Sequence, residues 1–352
     1  MANFWSWVQT PEFLVLAGFH VFVVAMLALD LGVFQRKAHV VGMKEAAIWS
    51  TVWVVLSLLF AAGIWQFWDS WRPAEAGQGS AKAVEFVTGY LIEKALSVDN
   101  LFVFLVIFRY FAVPAHLQHR VLYWGILGAL VMRATLILAG AALLTAFHWM
   151  IYVFGFFLLY TAYKMFRSTA EDEIDPGRNP LLRLAKRFLP LVTDYDSSRF
   201  WVNRSGKWYA TPLPLVLLVV ESTDVVFAVD SIPAIFAITK DTFIVYTSNI
   251  FAILGLRALF FLLAGFLGMF RYLSTGLAAV LAFVGLKMIV EEPLAPYLET
   301  VGIGKNGLIL ISLGVVAGIL TTAVVASICE SRLRLSGTDR YKVPRDIRPP
   351  GG

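Results

Sequence analysis

The sequence predicts an all-α polytopic membrane protein of about nine transmembrane helices, with an inverted repeat of three helices relating spans 3–5 to spans 6–8. Three observations carry that prediction. Of 352 residues, 59% are hydrophobic and 15% charged, with a mean hydropathy of +0.74, a balance that excludes a soluble globule and a disordered chain. The apolar residues gather into runs near the ~20 residues that cross a bilayer core. Two of those runs carry matching acidic motifs.

Span 1 covers 13–34; no basic region precedes it and Gln35, Arg36 and Lys37 follow it, the reverse of a cleavable signal peptide, so it is expected to be retained. The remaining runs are 46–68, 84–108, 121–146, 148–166, 212–237, 243–270, 273–290 and 307–328, with a tight junction near His148. Every second connection is basic: Arg36, Lys37 and Lys44; Arg109 and Arg120; a cluster from Arg167 to Lys207; Arg271; and the tail from Arg332 to Arg348. Positive charge stays in the cytoplasm, which places the amino terminus outside and the carboxyl terminus inside. The organisation expected is an N-terminal membrane half 1–166, a cytoplasmic linker 167–211 that is partly amphipathic, a C-terminal membrane half 212–328 and a tail 329–352. Acidic Glu171 to Glu173 and basic Arg183 to Arg187 mark the linker as a surface segment. The net charge of the whole chain, +5, reflects the basic flanks of the spans rather than nucleic-acid binding. One cysteine, Cys329, excludes an internal disulfide and a thiolate cluster within one chain.

Span 3 places Glu93 and Asp99 six residues apart, followed by Asn100; span 6 places Asp224 and Asp230 six apart, followed by Ser231. Arg133 in span 4 matches Arg257 in span 7, and Lys164 in span 5 matches Lys287 in span 8. From Asp99 to Asp230, Arg133 to Arg257 and Lys164 to Lys287 the offsets are 131, 124 and 123 residues. A unit of three crossings must re-enter in the opposite direction when repeated, and transporters built this way hold substrate near the midplane.

Each charged side chain at a helix centre costs roughly 2.5–3.5 kcal/mol to insert, so Glu93, Asp99, Glu221, Asp224 and Asp230 demand compensation. One reading is that they only pair with Lys94, Arg133 and Arg257 and fasten helices together. The other is that the negative excess receives a divalent cation or protons; charge alone leaves both open. Carboxylate, amide, hydroxyl and carbonyl oxygens suit Mn²⁺, Mg²⁺ or Ca²⁺ without choosing among them. Acids six apart on a straight helix point about 120° apart, so a break is expected in span 6 at Pro233, which withholds a donor from the Val229 carbonyl. Asn249 is a supporting amide. Asp30 lies near a membrane boundary, where it can act as a release station or simply snorkel, and Lys164 and Lys287 are expected to snorkel. His20 and His148 are set aside as packing residues. No phosphate-binding loop and no nucleophile triad appears, so no enzyme activity is expected.

Around Glu93, Lys94, Ser97, Asp99 and Asn100, and around Glu221, Asp224, Asp230, Ser231 and Pro233, the sequence resembles the TerC/Alx family of bacterial integral membrane proteins. The likeness continues through Thr247, Ser248, Asn249, Gly255 and Arg257 and extends over all nine expected spans. It implies a bacterial inner-membrane exporter of the LysE-like group, associated with manganese export and tellurium resistance. Glu93, Asp99, Asn100, Glu221, Asp224 and Asp230 stand in the family's acidic motifs, with Arg133, Arg257, Asn249 and Lys94 as counter-ions or supports. Mn²⁺ is expected as transported substrate, with no tightly bound cofactor, and the partners are membrane lipid and the ion, not nucleic acid. Two alternatives remain: a proton-coupled exporter of a small solute or oxyanion, and a membrane scaffold that assists metalation of exported proteins.

Overall fold

The computed structural model describes residues 11–34, 42–167, 176–192, 195, 199–264, 272–300 and 305–338. Eleven α-helices and one hairpin occur among them: α1 Pro11–Phe34, α2 Met43–Trp71, α3 Gly79–Tyr110, α4 Ala115–Ala146, α5 Met150–Arg167, α6 Pro180–Phe188, β1 Trp201–Arg204, β2 Lys207–Ala210, α7 Pro212–Phe236, α8 Thr242–Leu254, α9 Leu256–Ala264, α10 Leu273–Thr300 and α11 Lys305–Thr338. The basic residues Arg36, Lys37 and Arg271, the acidic patch Glu171 to Glu173 and the chain beyond 338 lie outside the described residues, as do the side chains of Asp30, Asp99, Arg332 and Arg334.

Among the described residues six helices are long and apolar enough to cross a membrane: α1, α2, α4, α7, α10 and α11. The pair α8–α9, bent by 42°, makes a seventh if counted as one span. Helices α3 and α5 sit where spans 3 and 5 are expected, with 32 and 18 residues. The charges that lower the apolarity of α3 include Glu85, Glu93 and Lys94, the residues that make it interesting. Large apolar side chains such as Val21, Leu58, Phe156 and Tyr160 face outward, as they must if the surrounding solvent is lipid.

Helix α3 runs through the middle of the bundle, packed against α2, α7, α8, α9 and α11, while α4 packs on α7 and α8. The tightest seam joins α5 to α10. A Cβ built on Gly155 would stand 3.1 Å from the Gly285 carbonyl oxygen, and one on Gly285 would stand 2.9 Å from the Gly155 carbonyl oxygen. Small residues at such a crossing let main chains approach where any side chain would hold them apart.

The break expected at Pro233 is not where the structure puts it. Helix α7 continues through Pro233 to Phe236, and the Ala237 amide donates to the Pro233 carbonyl at 3.0 Å. A proline so close to a helix end withholds one donor and the remaining turn still closes. The discontinuity lies instead at Gly255, between α8 and α9.

The linker holds more structure than a surface coil. Asn179 caps α6 by accepting from the Leu181 and Leu182 amides at 2.9 and 3.2 Å, and its own amide donates to Ser222 on α7 at 2.8 Å. One side of α6 buries Leu182 while Leu184 and Phe188 stay exposed. The hairpin turns at Ser205 and Gly206, both with positive φ (53° and 81°), the mirror-image turn that matches strand twist. Tyr195 donates to the Phe111 carbonyl at 2.7 Å and so ties the linker to the α3–α4 connection. Partial burial pushes the Tyr195 phenol up to about 12.

Candidate functional site

Arg133 on α4 is the hub of the bundle interior. Its side chain is 1% exposed, and it meets Glu93 of α3, at 0%, and Asp224 of α7, at 8%. The guanidinium grips Asp224 with two donors, Nε at 3.3 Å and Nη2 at 3.1 Å, and offers Nη1 to Glu93. Nη1 also lies 3.5 Å from Ser231 Oγ and from Asn249 Oδ1. Asn249 on α8 donates to the second oxygen of Glu93 at 3.1 Å, and Ser97 donates to its first at 3.4 Å. Four helices thus converge on one cation and two carboxylates. Two acids against one guanidinium leave this core one negative charge in excess, in surroundings where an unpaired charge is costly.

The other acids are distributed around this core rather than within it. Glu221 is half-buried with its carboxylate directly against Gly128 of α4, a contact that any larger residue at 128 would obstruct. Asp230 faces the opposite flank, where Thr161 of α5 donates to it at 3.2 Å. The divergence follows from helical geometry: Asp224 and Asp230 are six residues apart on a helix that stays continuous between them. Asn100 is buried on α3 and Arg257 is buried at the start of α9. The Asp99 side chain lies outside the described residues. Among the described residues no three of His, Cys, Asp and Glu gather into a ready metal cage.

Lys94, placed among the counter-ions and supports, donates to the Ala252 carbonyl at 3.3 Å rather than to an acid among the described residues. The bend after Leu254 interrupts the helical ladder there, and the ammonium supplies a donor to a carbonyl beside the break. Gly255 leaves the space, since a Cβ there would meet Lys94 Nζ at 2.5 Å. Lys287 does not snorkel either: it donates to the Ala237 carbonyl at 3.3 Å and lies 3.6 Å from Glu291.

A second charged cluster, missed in the sequence, closes the end of the bundle where α2 meets α3. Arg72 reaches Asp241 at 2.8 Å, Glu75 at 3.4 Å and Glu12 at 3.7 Å. Lys82 bridges Glu85 at 3.1 Å and Asp241 at 3.5 Å, and Thr239 donates to Glu85 at 2.6 Å. Asp241 also caps α8 by accepting from the Phe243 and Ile244 amides. Its position just before an apolar helix was the one legible signal of that role.

The family model for the integral membrane protein TerC family matches residues 78–334. The chain is 52% identical over 316 residues to the membrane protein STKORF319 of Myxococcus xanthus, covering 90% of this chain and 92% of that one. It is 49% identical over 323 residues to Alx of Salmonella typhi, named as a candidate membrane-bound redox modulator, covering 90% and 94%. The Escherichia coli K12 protein of the same name is 48% identical over the same length and shares. No solved structure matches the chain.

Proposed function

This chain belongs to the TerC family of integral membrane proteins, and from that premise we propose that it is a secondary transporter exporting a divalent metal ion, Mn²⁺, across the bacterial inner membrane. The observation that carries the reading is the Arg133 centre, in which acids from both halves of the chain share one buried guanidinium. Glu93 and Asp224 are the oxygens offered to the ion, Asn249 and Ser231 are polar neighbours, and Arg133 is the internal cation that the ion displaces. Asp99, Asn100, Glu221 and Asp230 lie along the same helices as stations on either side of the centre. Arg257 is the second counter-charge.

Nine crossings, the amino terminus outside and the carboxyl terminus inside, complete the proposal. Two contacts support the count. Tyr195 beside Phe111 fits a crossing by α4 that is answered by one in α5. Arg72 beside Asp241 fits a crossing by α3 as well. The packing pattern favours an inverted repeat: exchanging α3, α4 and α5 for α7, α8–α9 and α10 turns the α3–α8 contact into the α7–α4 contact and returns the α5–α10 contact to itself. In this arrangement the Arg72–Asp241–Lys82 cluster closes the outer end, and a loaded site opens outward by breaking it.

An oxyanion substrate is disfavoured by the same centre, because the Arg133 donors are already spent on two carboxylates that an anion would have to expel. A redox role of the kind named for Alx has one cysteine to draw on in this chain, so dithiol exchange within one subunit is not available. The test is uptake of Mn²⁺ into vesicles holding the purified protein. Glu93→Gln and Asp224→Asn are each expected to reduce the initial rate at least tenfold, as are Asp99→Asn and Asp230→Asn. Flux that persists unchanged in Glu93→Gln and Asp224→Asn rejects the assigned centre.

A further inference from the structure

A cavity of about 440 Å³ opens between α1, α2, α4 and α8. Its volume falls within the roughly 300–1,000 Å³ of small-molecule sites. Val15, Leu16, Leu138 and Phe243 make its interior apolar. The two polar side chains inside are already satisfied by each other and by the backbone. His20 Nδ1 lies 2.7 Å from the Leu16 carbonyl and must donate to it, leaving Nε2 to accept from the Tyr246 hydroxyl at 2.9 Å. His20 and Tyr246 thus satisfy each other and the backbone, and the apolar remainder of the interior suits a hydrocarbon chain.

The rim is different. Arg72 and Thr242 belong both to this cavity and to a polar hollow of about 470 Å³ that adjoins it. Charged residues lining the two are Arg72, Lys82 and Lys240 against Glu12, Glu75 and Asp241, three of each sign. At the seam stands Trp68, 1% exposed, under the Arg72 guanidinium at 5.0 Å. Its indole N–H is buried with no acceptor.

We propose that this compound cavity is a binding site for one zwitterionic glycerophospholipid of the phosphatidylethanolamine class. An acyl chain fills the apolar part. The phosphate meets Arg72 and Lys240, and the ammonium meets Glu75 and Glu12, the exposed acids of the rim. A balanced rim selects a head that carries both signs and no net charge, whereas a phosphatidylglycerol head adds an uncompensated negative charge. Neither the substrate nor the direction of transport enters this inference.

The test uses the full chain, purified in detergent, delipidated and titrated with dioleoyl phosphatidylethanolamine or dioleoyl phosphatidylglycerol under native mass spectrometry. One phosphatidylethanolamine per chain is expected, held at least tenfold more tightly than phosphatidylglycerol. Val15→Trp, which fills the cavity from α1, should weaken retention at least tenfold, and Lys240→Glu, at an exposed rim position, should do the same without disturbing the core. Phosphatidylglycerol bound as tightly as phosphatidylethanolamine, or retention unchanged in Lys240→Glu, overturns the proposal. A chain lacking residues 1–10 that binds the lipid tenfold more tightly would assign the cavity to that segment instead and would also overturn it.

Discussion

Replacing Arg133 with glutamine removes the cation that two carboxylates share, and its cost follows from burial. Arg133, Glu93 and Asp224 are 1%, 0% and 8% exposed, so water does not screen the charges left behind. Breaking a buried ion pair from one side costs about 3–5 kcal/mol. At about 1.4 kcal/mol per tenfold, Arg133→Gln should lower the folded-to-unfolded ratio by roughly two to three and a half powers of ten. The damage comes from orphaned acids rather than a lost contact, so neutralising them should repair it. The triple variant Arg133→Gln, Glu93→Gln, Asp224→Asn should recover most of the stability. An ion that competes with Arg133 should also rescue the single variant: Mn²⁺ at 100 times its dissociation constant adds about 2.7 kcal/mol, more than half of the smaller loss. Unfolding of the detergent-purified protein, followed by tryptophan fluorescence with and without Mn²⁺, reads both effects. A single variant that unfolds with the parent, or a triple variant that responds to Mn²⁺ as strongly as the single, refutes the reasoning.

Gly128→Ala puts a methyl group where the Glu221 carboxylate rests, so that flexible side chain must swing away; unfolding stability should change by less than about 1 kcal/mol, because Ala favours the helix over Gly by a similar amount, while Mn²⁺ flux should fall. Asp241→Ala removes the cap of α8 and leaves Arg72 and Lys82 without that carboxylate, so a loss of about 0.5–2 kcal/mol from the cap alone is expected, with little dependence on salt because Asp241 is buried beside both cations. The Tyr195 phenol, raised to about 12 in the folded chain from 10.0, stabilises the linker fully below pH 10 and loses that contribution as pH rises from 10 through 12. The stability advantage of the parent over Tyr195→Phe, read by denaturant unfolding, should therefore shrink across that window.

The helices were legible because their signal is simple. The run expected at 84–108 became Gly79–Tyr110, and the one at 148–166 became Met150–Arg167 behind a three-residue junction at 147–149. The hairpin was not legible: its strands are four residues long, and Arg204 and Lys207 at the turn read as surface charge, so neither gives a run that periodicity can detect. Pro233 drew the expected break to span 6 because proline announces itself, whereas the bend in α8–α9 rests on Gly255 and on a lysine reaching across from α3. The acids were visible as costly residues in apolar runs, but their neighbours were not. Nothing in the sequence shows that Asp224 turns to Arg133 while Asp230 turns to Thr161, because that depends on which helix lies beside each face.

At the meeting of Gly155 and Gly285, main chain rests on main chain. Side chains can change rotamer and let two surfaces slide; bare peptide groups have nothing to rearrange. That makes the α5–α10 contact the expected pivot for movement of one half of the chain against the other. Displacement should grow with distance from it, so paired spin labels flanking the α5–α10 contact should keep one separation with and without Mn²⁺, while labels on α2 and α8 near Arg72 and Asp241 should move apart.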